Sequence, residues 1–270
     1  MTSVQAPGSD SQKQSYNLNP GAKPFAKAIE YTRALNATKM ERMFAAPFIC
    51  QMGKGHVDGV YSMAKDPNSL EHFASGSGDG IVKVWDLVSR EEIWNAQAHE
   101  NIVKGMSWTR DKKLLTCASD RTVKLFDPYN RSQEALARGA RLEANETSFK
   151  GVPLATWHGA NAFTSISHHR SLNSFAVSSG IISIYDMEKS NSEPEVLRWQ
   201  GSSDTITNVA FNQIETSILA SAATDRSIVL YDLRTSMPLA KTILNFASNK
   251  IAWNPMEAMN FAVANEGLSL

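Results

Sequence analysis

The stretch SGSGDGIVKVWD, residues 75–86, joins a serine and an aspartate to a run that ends in tryptophan and aspartate. In its last residues Val82 and Val84 fall on one side of an extended chain and Trp85 on the other. This period-two alternation is typical of a strand with two different faces. With His56 upstream, the serine and the aspartate fit either a hydrolase-like site or a structural unit. A catalytic triad occurs once per active site, whereas a structural unit recurs at a fixed period. Repetition along the chain therefore decides between the two.

The strand-like run recurs three more times. The four copies are IVKVWD, TVKLFD, IISIYD and SIVLYD, which end at Asp86, Asp127, Asp186 and Asp232. An earlier aspartate stands six residues before the aromatic residue in three of the copies, at 79–85, 120–126 and 225–231. Repetition at constant spacing favours structure over catalysis.

Each copy also has matching upstream parts. GHVDGV (55–60) and AHENIV (98–103) open the first two units, WHGANAF (157–163) is a degenerate version, and the fourth opening has no histidine. A period of about 40–45 residues with a GH…WD signature is typical of WD-repeat blades, which have four antiparallel strands each. The sequence therefore predicts an all-β WD-repeat β-propeller with four complete blades. A polar insertion from Pro128 to Ala155 is expected to project as a loop.

A fifth unit begins near the end of the chain. Residues 209–227 and 251–269 match at a constant offset of 42, and the sequence stops before a third strand. Half a blade leaves open sheet edges, which propellers avoid by closing into rings of about 4–8 blades. We therefore expect a chain truncated from about seven blades, or one completed by another chain.

The first 48 residues differ from the rest. Residues 1–24 are polar and are predicted to be disordered, and residues 25–48 are predicted to form a basic, partly helical arm. Propeller blades are assigned to residues 49–270. The arm either packs against the propeller with a solvated basic face or contacts RNA or a partner through Arg33, Lys39 and Arg42.

In WD repeats, a histidine, a strand serine or threonine, a turn aspartate and the aromatic residue form a hydrogen-bonded structural tetrad. Such groups would satisfy the buried polar atoms of a tight turn. The predicted members are His56, Ser75, Asp79 and Trp85 in the first blade, His99, Thr116, Asp120 and Phe126 in the second, and Ser221, Asp225 and Tyr231 in the fourth. The third blade offers His158 and Tyr185, with Ser179 at the aspartate position.

The sequence contains few signals of catalysis or of metal binding. No HExxH, GxSxG or phosphate-loop motif occurs, and the cysteines Cys50 and Cys117 form no metal-binding cluster. The formal net charge is zero, and no apolar run approaches the length of a membrane span. We therefore predict no enzyme activity, no metal, no cofactor, no small-molecule substrate and no membrane partner.

Three stretches carry a more specific resemblance. EYTRALNATKMERMFAAPF (30–48), the blade pieces ASDRTVKLFD and ATDRSIVLYDLR, and WNPMEAMNFAVANE (253–266) resemble the suppressor-of-fibrillarin (Sof) family of WD-repeat proteins. This resemblance implies a nucleolar, non-catalytic scaffold in small-subunit ribosome biogenesis. Its implied partners are other proteins of the small-subunit processome, the box C/D small nucleolar ribonucleoprotein and the pre-ribosomal RNA. Members of the family continue beyond the last matched stretch with about three further blades and a basic tail.

A second interpretation shares the same fold. YDLR, residues 231–234, fits a WDxR-type box by which some WD-repeat proteins bind the adaptor of cullin-RING ubiquitin ligases. Arg234 would then make the charged contact with the adaptor. The alternative is that Arg234 forms an ordinary surface pair with the aspartate that ends its strand.

Overall fold

A computed structural model describes residues 25–45, 50–129, 152–188, 194–197 and 204–266. Residues 1–24 and nearly all of the insertion predicted from Pro128 to Ala155 lie outside these ranges. The chain divides into two compact units, Met1–Cys50 and Gln51–Leu270.

The first unit contains one helix, α1, in its described part. It spans the 19 residues Ala26–Phe44, without glycine or proline and rich in alanine and long unbranched side chains, which favour helices. Arg42 in the last turn suits the negative end of the helix dipole. The helical spacing of the sequence therefore predicted this segment correctly.

The second unit is made of antiparallel sheets, four of them with four strands. Within the described residues a fifth sheet has two strands. The strands of the first two sheets are β1 (Val60–Lys65), β2 (His72–Ser77), β3 (Ile81–Asp86), β4 (Glu92–Gln97), β5 (Val103–Trp108), β6 (Leu114–Ala118), β7 (Thr122–Phe126) and β8 (Ala155–His158). Those of the others are β9 (Ser165–His168), β10 (Ser174–Ser178), β11 (Ile182–Asp186), β12 (Glu195–Leu197), β13 (Ile206–Phe211), β14 (Ile218–Ala223), β15 (Ser227–Asp232), β16 (Met237–Ile243), β17 (Ser248–Trp253) and β18 (Phe261–Asn265).

Each sheet is a blade in sequence order. Neighbouring strands along the chain pair with one another in all five sheets, as in the order β1-β2-β3-β4. The quoted aromatic-Asp runs form β3, β7, β11 and β15, the third strands of the four complete blades. The prediction of four blades and the start of a fifth is confirmed.

Apolar cores lie between successive blades. The first core joins Val82 and Val84 of β3 to Val103 of β5 and Phe126 of β7, all of them buried. Three further cores repeat this arrangement between the later blades. A blade between two others packs one face of its sheet against the preceding blade and the other face against the following blade. Alternate residues of a strand therefore point into two different cores, and both are apolar.

Hydroxyl groups also join the first strands of neighbouring blades. Ser62 of β1 donates to the carbonyl of Val103 at 3.0 Å, and Thr207 of β13 donates to the carbonyl of Ser248. Asn208 spans three blades, since its amide donates to Ser165 at 2.8 Å and its carbonyl accepts from the Ile251 amide at 3.1 Å. The inner wall of the propeller is therefore fixed by polar contacts as well as by apolar packing.

Candidate functional site

The second blade contains the most complete of the predicted polar sets. His99 is buried, with Nδ1 2.9 Å from Asp120 Oδ2 and Nε2 2.8 Å from Thr116 Oγ1. Asp120 Oδ1 accepts from the backbone N–H and the hydroxyl of Thr122. Burial alone would raise the pKa of Asp120, but the hydrogen bonds from His99 and Thr122 outweigh it and lower that pKa. Phe126 supplies packing without a polar atom.

The first blade shares only part of this arrangement. Ser75 Oγ accepts the indole N–H of Trp85 at 2.7 Å and lies 2.6 Å from Nε2 of His56. Asp79 accepts the backbone N–H of Ile81 at 3.0 Å. His56 Nδ1 is buried and has no hydrogen-bond partner among the described residues. The expected pairing of histidine and aspartate is therefore absent here, and burial lowers the pKa of His56.

The fourth blade replaces the histidine with a lysine. Asp225 Oδ1 accepts from the backbone and hydroxyl of Ser227, and Oδ2 accepts from Lys241 Nζ at 2.9 Å. Burial acts to raise the pKa of Asp225, but Ser227 and Lys241 together lower it. The Tyr231 hydroxyl, whose pKa is raised by burial, interacts with Ser221. Sequence reasoning missed Lys241 because it lies on the next strand, outside the repeated motif.

In the third blade the serine takes the aspartate's place at the turn. Ser179 Oγ accepts weakly from the Ile181 N–H at 3.5 Å, two residues ahead as in the other blades. His158 lies at the end of β8 in the second blade and is exposed. Tyr185 is buried against Phe175, with ring centroids 5.4 Å apart. The turn of this blade therefore lacks the carboxylate that accepts hydrogen bonds in the other three.

In the turns of the first, second and fourth blades, the residue after the aspartate has a left-handed backbone conformation. Its φ is 84° at Gly80, 64° at Arg121 and 66° at Arg226. A Cβ at Gly80 would lie 2.0 Å from the carbonyl oxygen of His99, so only glycine fits there. The turns in the other two blades accept arginine at the cost of some backbone strain.

The polar sets cannot act as accessible nucleophiles in this arrangement. The residues Ser75 and Thr116 are 4% and 0% exposed, and each hydroxyl is already bonded within its blade. A substrate from solvent cannot reach either oxygen. The arrangement instead satisfies buried polar groups of the turn and the third strand.

The residues predicted to contact partners are all exposed. Arg33, Lys39 and Arg42 lie on α1 in the first unit. Arg234 follows β15 in the second unit, with 74% of its side chain exposed and Nε 3.3 Å from Asp232 Oδ1. The surface pair with the strand-terminal aspartate is thus present, and the guanidinium still faces solvent.

Neither a cluster of metal ligands nor a membrane-spanning helix occurs among the described residues. No group of three or more His, Cys, Asp or Glu side chains there could hold a metal ion. None of the helices described is both long enough and apolar enough to cross a membrane.

The chain is similar to a family of repeats and also to particular proteins. The profile of the family described as WD domain, G-beta repeat, matches residues 49–86 and 90–127. Protein sof1 of Schizosaccharomyces pombe is 44% identical over 254 residues, which are 94% of this chain and 53% of that protein. Protein SOF1 of Saccharomyces cerevisiae is 43% identical over 266 residues, 93% of this chain and 52% of that protein. The chain belongs to the Sof family of WD-repeat proteins.

Other relatives of this Sof-family chain carry a different name. DDB1- and CUL4-associated factor 13 of Dictyostelium discoideum is 41% identical over 249 residues, 92% of this chain and 52% of that protein. The chain spans about half the length of the curated relatives that it matches.

Proposed function

We propose that the chain is a non-catalytic WD-repeat scaffold in small-subunit ribosome biogenesis. The supporting observation is identity of 44% to protein sof1 over 94% of this chain, which is far more than a shared propeller fold requires. The proposed partners are other proteins of the small-subunit processome, the box C/D small nucleolar ribonucleoprotein and, directly or indirectly, pre-ribosomal RNA. The proposed location is the nucleolus within the nucleus.

Basic side chains on α1 are proposed to make part of these contacts. Lys39 and Arg42 are three residues apart, so they share one face of the helix, whereas Arg33 lies on another face. All of the described side chains of α1 are exposed. The helix also carries exposed apolar side chains, including Leu35 and Met43. A basic and partly apolar helix surface suits a phosphate backbone or an acidic protein.

The test is to tag the protein in cells and to sequence the RNA that co-purifies. Enrichment of pre-ribosomal RNA and of box C/D guide RNA supports the proposal. Absence of both from a soluble, folded preparation would overturn it. Lys39→Glu/Arg42→Glu should reduce the recovered RNA, whereas Lys54→Glu/Lys112→Glu, at two exposed lysines of the second unit, changes the net charge equally and serves as the matched control. Equal losses in the two variants would contradict a specific role for the face that carries Lys39.

A second function is favoured by Arg234 and by the name of several relatives. Those relatives are called DDB1- and CUL4-associated factor 13 and are 40–41% identical to this chain. Under this proposal the chain is a substrate receptor of a cullin-RING ubiquitin ligase, and Arg234 binds the adaptor. The exposed guanidinium can form charge-assisted hydrogen bonds once it leaves Asp232.

Binding of purified DDB1 to the chain tests this second function. Arg234→Ala should weaken binding, and Arg226→Ala, which removes another exposed arginine that follows an aspartate, should not. Arg234→Lys keeps the charge but loses the planar guanidinium, so a partial loss is expected. Binding that is unchanged in Arg234→Ala would refute the role of this residue.

A further inference from the structure

The first strands of the blades surround a cavity. Its volume is about 430 Å³, and residues of β1, β5, β9, β13 and β17 all contribute to its lining. Turns that follow four of these strands form its mouth, through Asn68, Arg110, Arg170 and Gln213. The cavity is therefore shared by five blades and is separate from the buried polar sets described above.

Every side chain in the lining that is charged at neutral pH is a cation. These are Lys65, Arg110, Arg170 and Lys250. All four are exposed, and none forms an ion pair with another residue of the described ranges. Arg170 donates to the carbonyl of Gln213 at 2.8 Å, which holds its guanidinium at the mouth. Four cations with no acidic residue in the lining give this cavity a positive potential, which favours an anionic ligand.

Lys250 places a positive charge on the fifth blade. It lies within β17 and is exposed, and its ammonium is near enough to Cys117 of the second blade to oppose the rise in the pKa of that buried thiol. Its charge therefore acts on a blade other than its own.

The other lining residues indicate which kind of anion fits. Met63, which is 68% exposed, provides apolar surface, and methionine adapts readily to different peptide side chains. The aromatic residues of the lining, Trp108 and Phe211, are buried at 4% and 6% exposure. They offer no open ring face, and stacking on such faces is the usual means of holding single-stranded RNA.

We propose that this cavity, lined by Lys65, Arg110, Arg170 and Lys250, binds an acidic segment of a partner protein. Carboxylate side chains of the segment pair with the cations, and an apolar side chain packs on the exposed Met63. Charge complementarity is the basis for this choice of ligand. The inference goes beyond the proposed function and does not depend on it.

Selection of random displayed peptides on the immobilised full chain tests the proposal. The selected sequences should be enriched in Asp and Glu next to apolar residues. The strongest peptide, labelled with fluorescein, should bind about tenfold more weakly to Arg110→Gln/Lys250→Gln than to the original chain. Both substituted side chains are exposed, so the fold should be retained, and the melting temperature checks this.

Lys112→Gln/Lys104→Gln is the matched control. Lys112 lies in the same turn as Arg110, Lys104 lies on a first strand as Lys250 does, and neither lines the cavity. Equal weakening in both double variants would mean general charge attraction and would overturn the proposal. Selection of peptides without acidic residues would also overturn it. So would a labelled oligouridine that binds more tightly than the peptide and is lost in Arg110→Gln/Lys250→Gln, because the ligand would then be RNA.

Discussion

The ammonium group of Lys241 lies 2.9 Å from the carboxylate of Asp225, and so makes the contact that His99 makes with Asp120. In both blades one carboxylate oxygen accepts the backbone N–H two residues ahead, and the other accepts from a buried or half-buried donor. In these two blades the turn aspartate therefore has a side-chain donor beside it, which comes from the start of the blade in one and from its last strand in the other.

Because Asp225 pairs with Lys241, we expect the free energy of unfolding to depend on pH. The pKa of Asp225 is lowered in the folded chain, so its contribution is fully present above the unfolded pKa of about 3.9 and is lost as the pH falls below it. Asp225→Asn should lower the free energy of unfolding by about 1–2 kcal/mol at neutral pH, because the pair is only partly buried. Urea unfolding at several pH values measures the difference, which should shrink below about pH 4. A difference independent of pH would contradict this account.

The first and second blades predict unequal effects of losing the turn aspartate. Asp120→Ala removes the shorter of the two contacts of the buried His99 Nδ1, leaving Thr122 Oγ1 at 3.1 Å, and also removes the bonds that Asp120 accepts from Thr122, so it should cost about 2–4 kcal/mol. Asp79→Ala removes the contact with the backbone N–H of Ile81 but no bond to His56, and should cost about 1 kcal/mol. Chemical denaturation of the two variants side by side checks the order. Equal losses would mean that the pairing with histidine contributes little.

Trp85 allows packing to be separated from hydrogen bonding. Trp85→Ala should cost about 3–5 kcal/mol, because it leaves a cavity in a core where the indole is 3% exposed. Trp85→Phe keeps an aromatic ring, as Phe126 does in the second blade, and loses mainly the 2.7 Å bond to Ser75. Its expected cost is about 1–2 kcal/mol. Thermal unfolding of both variants tests the division, and a loss in Trp85→Phe as large as in Trp85→Ala would refute it.

The sequence predicted the blades well because their signals are local. Alternation within six residues and a constant interval between Asp79 and Trp85 are visible without knowledge of contacts. The missing bond between His56 and Asp79 could not be predicted, since the spacing of two residues in the sequence does not fix the distance between their side chains. Lys250 could not be placed in the cavity either, because five separate strands meet there only after the blades pack side by side.

His168 occupies a position where other blades have an aromatic residue. It is the last residue of β9 and pairs with Phe175, as Trp108 of β5 pairs with Leu114 and Phe211 of β13 pairs with Leu219. The indole of Trp108 donates to the carbonyl of Ala64 in the preceding blade at 3.1 Å. Nε2 of His168 is buried and has no partner among the described residues. His168 therefore occupies the aromatic position, but its Nε2 makes no hydrogen bond of the kind that Trp108 makes to the preceding blade.

Replacement of this histidine should stabilise the chain, and more so in acid. Burial lowers the pKa of His168 to about 4, so between the unfolded pKa of about 6.5 and pH 4 the unfolded chain binds a proton that the folded chain does not. The free energy of unfolding then falls as the pH falls, and His168→Phe removes this penalty. At pH 5 we expect a gain of about 1–2 kcal/mol, reduced from the full shift because the ring is partly exposed. His158→Phe, at an exposed histidine, is the control in urea unfolding from pH 7.5 to pH 4.5, and the same pH dependence in both variants would show that His168 is not the group responsible.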